Sequence, residues 1–251
     1  MAGYPYWSVL CFSLPLVLVA LLRKSLRPKL KEQYCLADEF VCSLLWLLWS
    51  FEISLVSLHT HSSVHYILLF IALLSQRSIY QEATVNTSAL IVKSVSFGWS
   101  LSRTLLLLLA QLMALPVAMA MILFLHKVLA PFSSPHSEGV SVSGDVLQVE
   151  IIQGFIIEAI GTLLLSVPPA LVKSRGLIFD FVSASNYTLI EYFFGPFTGA
   201  FCNPLSATCF CLFFNKQSLF ELLTVYWAGS VTGALIGWRL FYNRMEKLKI
   251  P

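Results

Sequence analysis

An all-α integral membrane protein, built from two similar halves, is the fold class that this sequence predicts. Of its 251 residues, 57% are hydrophobic and only 12% are charged, with a mean hydropathy of +0.79, far below the soluble average of about 25% charged residues. Seven apolar segments come near the ~20 residues that a helix needs to cross a hydrocarbon core of ~30 Å. Two polar interruptions of similar form, centred on Asn86 and Asn203, break this apolar chain.

The first apolar segment covers residues 5–22 and is followed by Arg23, Lys24, Arg27, Lys29 and Lys31. Met1-Ala-Gly-Tyr-Pro5 carries no basic residue ahead of it, the reverse of a cleavable signal, so the segment reads as a retained anchor helix. Residues 1–35 then form an extra hydrophobic helix and a basic cytosolic linker. Spans follow at 36–58, 64–80, 101–126, 151–172, 176–195 and 222–242. Asparagine is a favoured helix N-cap, and Pro204 stands where proline is best tolerated, at a first helical position. Short helices are therefore expected near 87–97 and 204–214. The connection 127–150 includes Ala130-Pro-Phe-Ser-Ser-Pro-His-Ser-Glu-Gly139, rich in turn-forming residues. A basic tail, 243–251, closes the chain.

Charge orients the spans. If the loop after the first segment is cytosolic and each later span crosses once, only Lys127 and Lys216 fall on the opposite side. Fourteen of the sixteen Lys and Arg residues then obey one topology, a positive-inside pattern. The net charge of +3 reports orientation and gives no sign of nucleic-acid binding.

Residues 36–126 and 151–242 each run as helix, helix, asparagine half-helix, helix. An odd number of crossings per half inverts the second relative to the first, and inverted repeats place their functional site at the midplane. Two half-helices meeting end to end would aim their positive dipole ends and two asparagine amides at one point. That arrangement favours neutral hydrogen-bonding solutes and opposes cations.

At these residues the chain resembles the aquaporin (major intrinsic protein) family. Gly195-Pro-Phe-Thr-Gly-Ala-Phe-Cys-Asn-Pro204 and Tyr226-Trp-Ala-Gly-Ser-Val-Thr-Gly-Ala234 look like the second aquaporin box and the glycine-rich last helix. Ile157-Glu-Ala-Ile-Gly-Thr162, Ala110-Gln111 and Glu39-Phe40 are similar to the family's fourth, third and first helices. The boxes themselves depart from the usual form, reading Asn86-Thr87-Ser88 and Asn203-Pro204-Leu205, which resembles the divergent superaquaporin branch of internal membranes, the eleven- and twelve-type proteins. The branch cysteine nine residues past the second box is replaced by Phe214, with Cys209 and Cys211 close by. Thr87 lacks proline's fixed φ, so the first half-helix should start less rigidly.

The resemblance implies an inverted-repeat fold of six transmembrane helices and two re-entrant half-helices, with the N-terminal helix additional, assembled as a homotetramer with one pore per subunit. It implies a passive channel for water and small neutral solutes such as glycerol and hydrogen peroxide, with membrane lipid around it and no cofactor, metal or nucleic-acid partner. By spacing, the family's four filter positions fall on Tyr66, Glu191, Ala200 and Ser206; a one-residue shift replaces Glu191 with Tyr192. Orthodox water channels carry arginine where Ser206 stands, so a wider and less selective filter is expected.

Other polar residues read as structural. Glu39 and Glu158 are expected to hold the half-helix loops by backbone hydrogen bonds, and Gln111 is likewise read as structural. Gly229 and Gly233 are spaced for close helix packing. His59, His61 and His65 cluster after the second span without a matched ligand set, and read as an exposed loop. Cys11, Cys35, Cys42, Cys202, Cys209 and Cys211 contain no CxxC pair and read as buried thiols, Cys202 being the one expected within reach of a reagent. The sequons at Asn86 and Asn186 fall in membrane segments and should stay unmodified. No catalytic constellation occurs: there is no Gly-x-Ser-x-Gly elbow or His/Asp/Glu cluster within the spans.

Two alternatives use the same residues. A seven-helix receptor matches the span count, but Asn203-Pro204 precedes a further span and Ala207 replaces the tyrosine expected three residues past the proline. A structural or scaffolding aquaporin-like protein of an internal membrane, with little conduction, keeps the fold. Lys249 and Lys247 are the third and fifth residues from the end, counting Pro251 as the first, and resemble a dilysine signal for retrieval to the endoplasmic reticulum.

Overall fold

Inside a bilayer no water can satisfy backbone N–H and C=O groups, so spanning segments must bond internally. Every regular element among the described residues is accordingly a helix. The computed structural model of the chain describes residue 21 and residues 34–80, 83–129, 146–172, 176–214 and 217–245. The expected N-terminal helix (apart from Leu21), most of the connecting loop, and Lys247 and Lys249 lie outside them.

The elements are α1 (Tyr34–His59), α2 (Ser62–Tyr80), α3 (Thr87–Phe97), α4 (Leu101–Leu129), α5 (Ile151–Leu164), α6 (Val167–Leu171), α7 (Leu177–Thr198), α8 (Pro204–Phe214), α9 (Leu219–Glu221), a π-helical segment (Leu222–Gly229) and α10 (Ser230–Met245). Cys35–Ser57, Leu101–Val128, Ile151–Leu171 and Leu219–Phe241 are long and apolar enough to cross a membrane. Their outward sides carry exposed apolar rows at four-residue spacing: Leu105, Leu109 and Met113 on α4, Ile152, Ile156 and Ile160 on α5. A water-soluble protein rarely exposes such continuous apolar faces, whereas lipid covers them without cost. The chain is an all-α membrane protein.

Helix contacts follow a pattern that occurs twice. In the first part α1 packs on α4 and α2; in the second, α5 packs on α10 and α7. The short α3 lies on α4 and α10, and the short α8 lies on the π segment and α4. The pair α2 and α7 joins the two parts.

Local chemistry accounts for the irregularities. The span expected at 151–172 is two helices, because Pro168 and Pro169 follow the turn at Leu165–Ser166. Pro168 has no N–H for the Leu164 carbonyl four residues earlier, and Asn186 Nδ2 donates to that carbonyl instead, at 3.0 Å. Asn186 is thus a packing residue inside α7. The last span starts at Leu219, three residues earlier than the hydropathy suggests, through a capping box in which Ser218 and Glu221 bond one another's backbone N–H groups. Close approach explains Gly233: a Cβ there would stand 2.0 Å from the Ala159 carbonyl oxygen.

Candidate functional site

The two short helices begin at neighbouring points. Asn86 caps α3 from an extended conformation (φ −124°, ψ 120°), its Oδ1 accepting from Ser88 N at 2.8 Å and Ala89 N at 3.3 Å. Asn203 Oδ1 accepts from Leu205 N at 3.1 Å, and Pro204 opens α8 with its missing N–H at a position where none is needed. With the carbonyl oxygens used as caps, the amide nitrogens are left to donate. Each crosses to the other loop: Asn86 Nδ2 donates to Cys202 O at 2.8 Å, and Asn203 Nδ2 donates to Val85 O at 3.1 Å. Thr87 N adds a bond to Asn203 Oδ1 at 3.3 Å.

Both accepting carbonyls belong to residues in left-handed backbone, Val85 (φ 59°) and Cys202 (φ 48°). This conformation is unfavourable for L-residues, above all for β-branched valine, and persists only where surrounding bonds fix it. Two buried carboxylates do so. Glu39 accepts from Thr84 N (2.9 Å), Val85 N (2.8 Å), Thr84 Oγ1 (2.6 Å) and Gln111 Nε2 (2.7 Å). Glu158 accepts from Cys202 N (2.8 Å), Phe201 N (3.2 Å), Thr198 Oγ1 (2.7 Å) and Ser230 Oγ (3.3 Å). A carboxylate suits this role because it only accepts and offers about four sites. Gln111 extends the first set, its Oε1 accepting from Thr87 Oγ1 at 2.7 Å. Each asparagine amide has two hydrogens and one described acceptor.

Beside this junction lies a cavity of about 470 Å³. Its lining comes from the C-terminal half of α1, the start of α2 and the C-terminal half of α7, together with Gly199, Phe201 and Ser206 of the α7–α8 connection and the start of α8. Tyr66, Glu191 and Ser206 line it, but Ala200 does not. Ala200 is buried, and its positive φ of 44° places it in a cluster with Ile190 and Cys202, so the Phe201 ring takes the wall position. Tyr192, the shifted alternative to Glu191, points outward, 55% exposed, and meets Tyr66 edge-on. Neither Asn86 nor Asn203 is among the residues lining this cavity.

Two further expectations are corrected. The histidines do not form one exposed loop: only Thr60 and His61 separate α1 from α2, and His65 sits on α2 with its Nε2 at 2.5 Å from Glu191 Oε1. The side chain of His59 lies outside the described residues. Cys202 is not accessible; its sulfur faces Gly161 and the residue is 1% exposed. Cys42, Cys209 and Cys211 are buried, and Cys35 is exposed.

Several participants escaped sequence reasoning. Trp46 Nε1 donates to Ser206 Oγ at 2.9 Å, and both line the cavity. Tyr187 Oη donates to Phe201 O, and Tyr226 Oη to Thr198 O, fixing the loop before α8. Ser50, Ser54 and Ser57 also line the cavity; their spacing of four and three residues marks one face of a helix, a legible signal in an otherwise apolar span. Among the described residues no group of three His, Cys, Asp or Glu is placed to hold a metal ion. No family model and no curated protein matches this chain.

Proposed function

We propose that the chain is a passive, bidirectional channel of the aquaporin type, conducting water and small neutral solutes, glycerol and hydrogen peroxide among them. The observation that carries this reading is the reciprocal bonding of Asn86 and Asn203 across the two short-helix starts. It brings two helix N-termini and two part-used amide donors to one place, which suits a hydrogen-bonding neutral solute and repels a cation. The recurrent helix contacts support an inverted repeat, with α3 and α8 as re-entrant half-helices. By resemblance the assembly is a homotetramer, and Lys247 and Lys249 return it to the endoplasmic reticulum.

Asn203→Leu tests the mechanism. Liposomes holding equal amounts of folded variant and parent should differ, with the variant swelling at the rate of empty liposomes; equal swelling would refute the asparagine mechanism. One observation favours a second reading, a non-conducting structural role: Trp46 and Ser206 bond one another within the cavity lining, and neither asparagine lines the cavity. Folded parent protein that swells liposomes no faster than lipid alone would establish that role. For location, Lys247→Ser with Lys249→Ser should bring the protein to the cell surface; persistent absence of surface label would show that the tail is not the address.

A further inference from the structure

One end of the α4 span carries a cation for which the neighbouring helices supply no counter-ion. The apolar span begins at Leu101, and Arg103 stands exposed just inside it. Its guanidinium lies over the Trp99 ring, 4.3 Å from the centroid, and that ring stacks in turn on Phe97, with 6.1 Å between centroids and 23° between planes. None of α3, α4 and α10, the two helices that α3 packs on included, contains an Asp or Glu. The acids of α1, which also packs on α4, are Asp38, Glu39 and Glu52, all buried. Among the described residues no carboxylate pairs with Arg103. A charge at the edge of the hydrocarbon is costly unless it is paired, so its anion has to come from outside the chain.

The corner that carries this cation is braced. Gly98, in left-handed backbone, closes α3, and Trp99 N donates to Ser94 O at 3.0 Å. Ser94 Oγ and Thr104 Oγ1 bond one another at 2.5 Å, and Ser100 Oγ accepts from Arg103 N at 3.2 Å. From Arg103 the exposed residues Leu106, Leu109 and Met113 follow at steps of three, three and four, one apolar strip along α4. Tryptophan favours the level of the headgroups. An interfacial ring, a planar cation and an apolar strip running into the bilayer repeat, in order, the layout of a phospholipid.

We propose that the α3–α4 corner binds one anionic phospholipid of the surrounding bilayer, its phosphate on the Arg103 guanidinium and an acyl chain along Leu106, Leu109 and Met113. The guanidinium fork matches phosphate oxygens two at a time, and stacking on Trp99 limits the freedom lost on binding. A net-negative headgroup is selected because a zwitterionic one would bring its own cation to a corner that offers no acid. Arg239 provides the contrast. It lies near the end of the Leu219–Phe241 span and is exposed, but no aromatic ring or carboxylate among the described residues holds it. The proposal stands without the channel reading.

Native mass spectrometry of the full-length protein in an uncharged detergent, titrated with phosphatidylglycerol or phosphatidylcholine of identical chains, reads binding whether or not the chain conducts. Phosphatidylglycerol should bind about fivefold more tightly, the effect of one basic residue beside an anionic membrane. Arg103→Gln should remove that preference, Arg103→Lys should keep part of it, and Arg239→Gln should leave it intact. Equal affinity of the unaltered chain for the two lipids would overturn the site without reliance on any variant. Equal losses in Arg103→Gln and Arg239→Gln would overturn it too, because diffuse surface charge would then account for the preference. Glycerophosphoglycerol, the same headgroup without acyl chains, should fail to displace the lipid; displacement at equal concentration would show a site for soluble phosphate and refute the role of the apolar strip.

Discussion

Val85 and Cys202 hold a backbone conformation that neither side chain favours, and each does so one residue before an asparagine. Their N–H groups bond Glu39 and Glu158, and their carbonyls accept from the asparagine of the other loop. The two loops are thus held by charge-assisted bonds to the carboxylates and by each other. An amide at either carboxylate position would turn two acceptor sites into N–H donors facing backbone donors. Glu158→Gln should therefore lower stability by about 2–3 kcal/mol, the range for leaving buried polar groups unsatisfied. Thermal unfolding in detergent checks this, and Glu39→Gln should behave alike because its bond set is equivalent. Sequence reasoning expects both glutamates in this role, since a lone carboxylate in an apolar helix needs backbone donors. It misses Trp46, Tyr187 and Tyr226, whose polar tips bond atoms 14 to 160 residues away.

At the scale of elements, small residues decide how closely helices approach. Gly229 and Gly233 face the Phe155 and Ala159 carbonyls of α5, and Gly237 continues the row against Ser166. Backbone has no rotamer with which to yield, so Gly233→Ala, with its Cβ at 2.0 Å from a carbonyl oxygen, forces the helices apart. A loss of about 1–3 kcal/mol is expected, as for overpacking elsewhere, and thermal unfolding should show it. Gly98 makes an instructive contrast. Nothing lies within 4 Å of its would-be Cβ, but its φ is +58°. Gly98→Ala should cost about 1 kcal/mol through backbone strain alone, and Gly98→Asn should recover part of it, because asparagine tolerates that region. The short helices were legible as capped starts after Asn86 and Asn203. The break between α5 and α6 was not: hydropathy runs unbroken through Pro168, and only the bond from Asn186 reveals how the freed carbonyl is satisfied.

For the whole molecule, the proposed selectivity depends on which residues converge on the cavity. On the proposed pore reading, Ser206→Arg places a bulky cation in the cavity lining beside Trp46, and glycerol flux should fall more than water flux. Paired swelling assays in glycerol and sucrose gradients check this; an unchanged flux ratio would mean that Ser206 does not face the path. The same convergence makes the His65–Glu191 pair a connection between the two parts of the chain, since α2 belongs to the first and α7 to the second.

Composition and hydropathy alone determined that this is a helical membrane protein, because apolar length and the need for internal backbone bonding admit few other solutions. Cap chemistry determined where the two short helices start, since N-capping is a local interaction within three residues. Which groups meet was decided only by tertiary structure. Filter spacing pointed to Ala200, yet a positive φ turns that residue into the packing and brings Phe201 to the wall. His65 read as loop because its partner, Glu191, is 126 residues away. Spacing along a chain carries local geometry; the polarity of a cavity wall depends on where each hydroxyl sends its single hydrogen, and that is fixed when the helices pack.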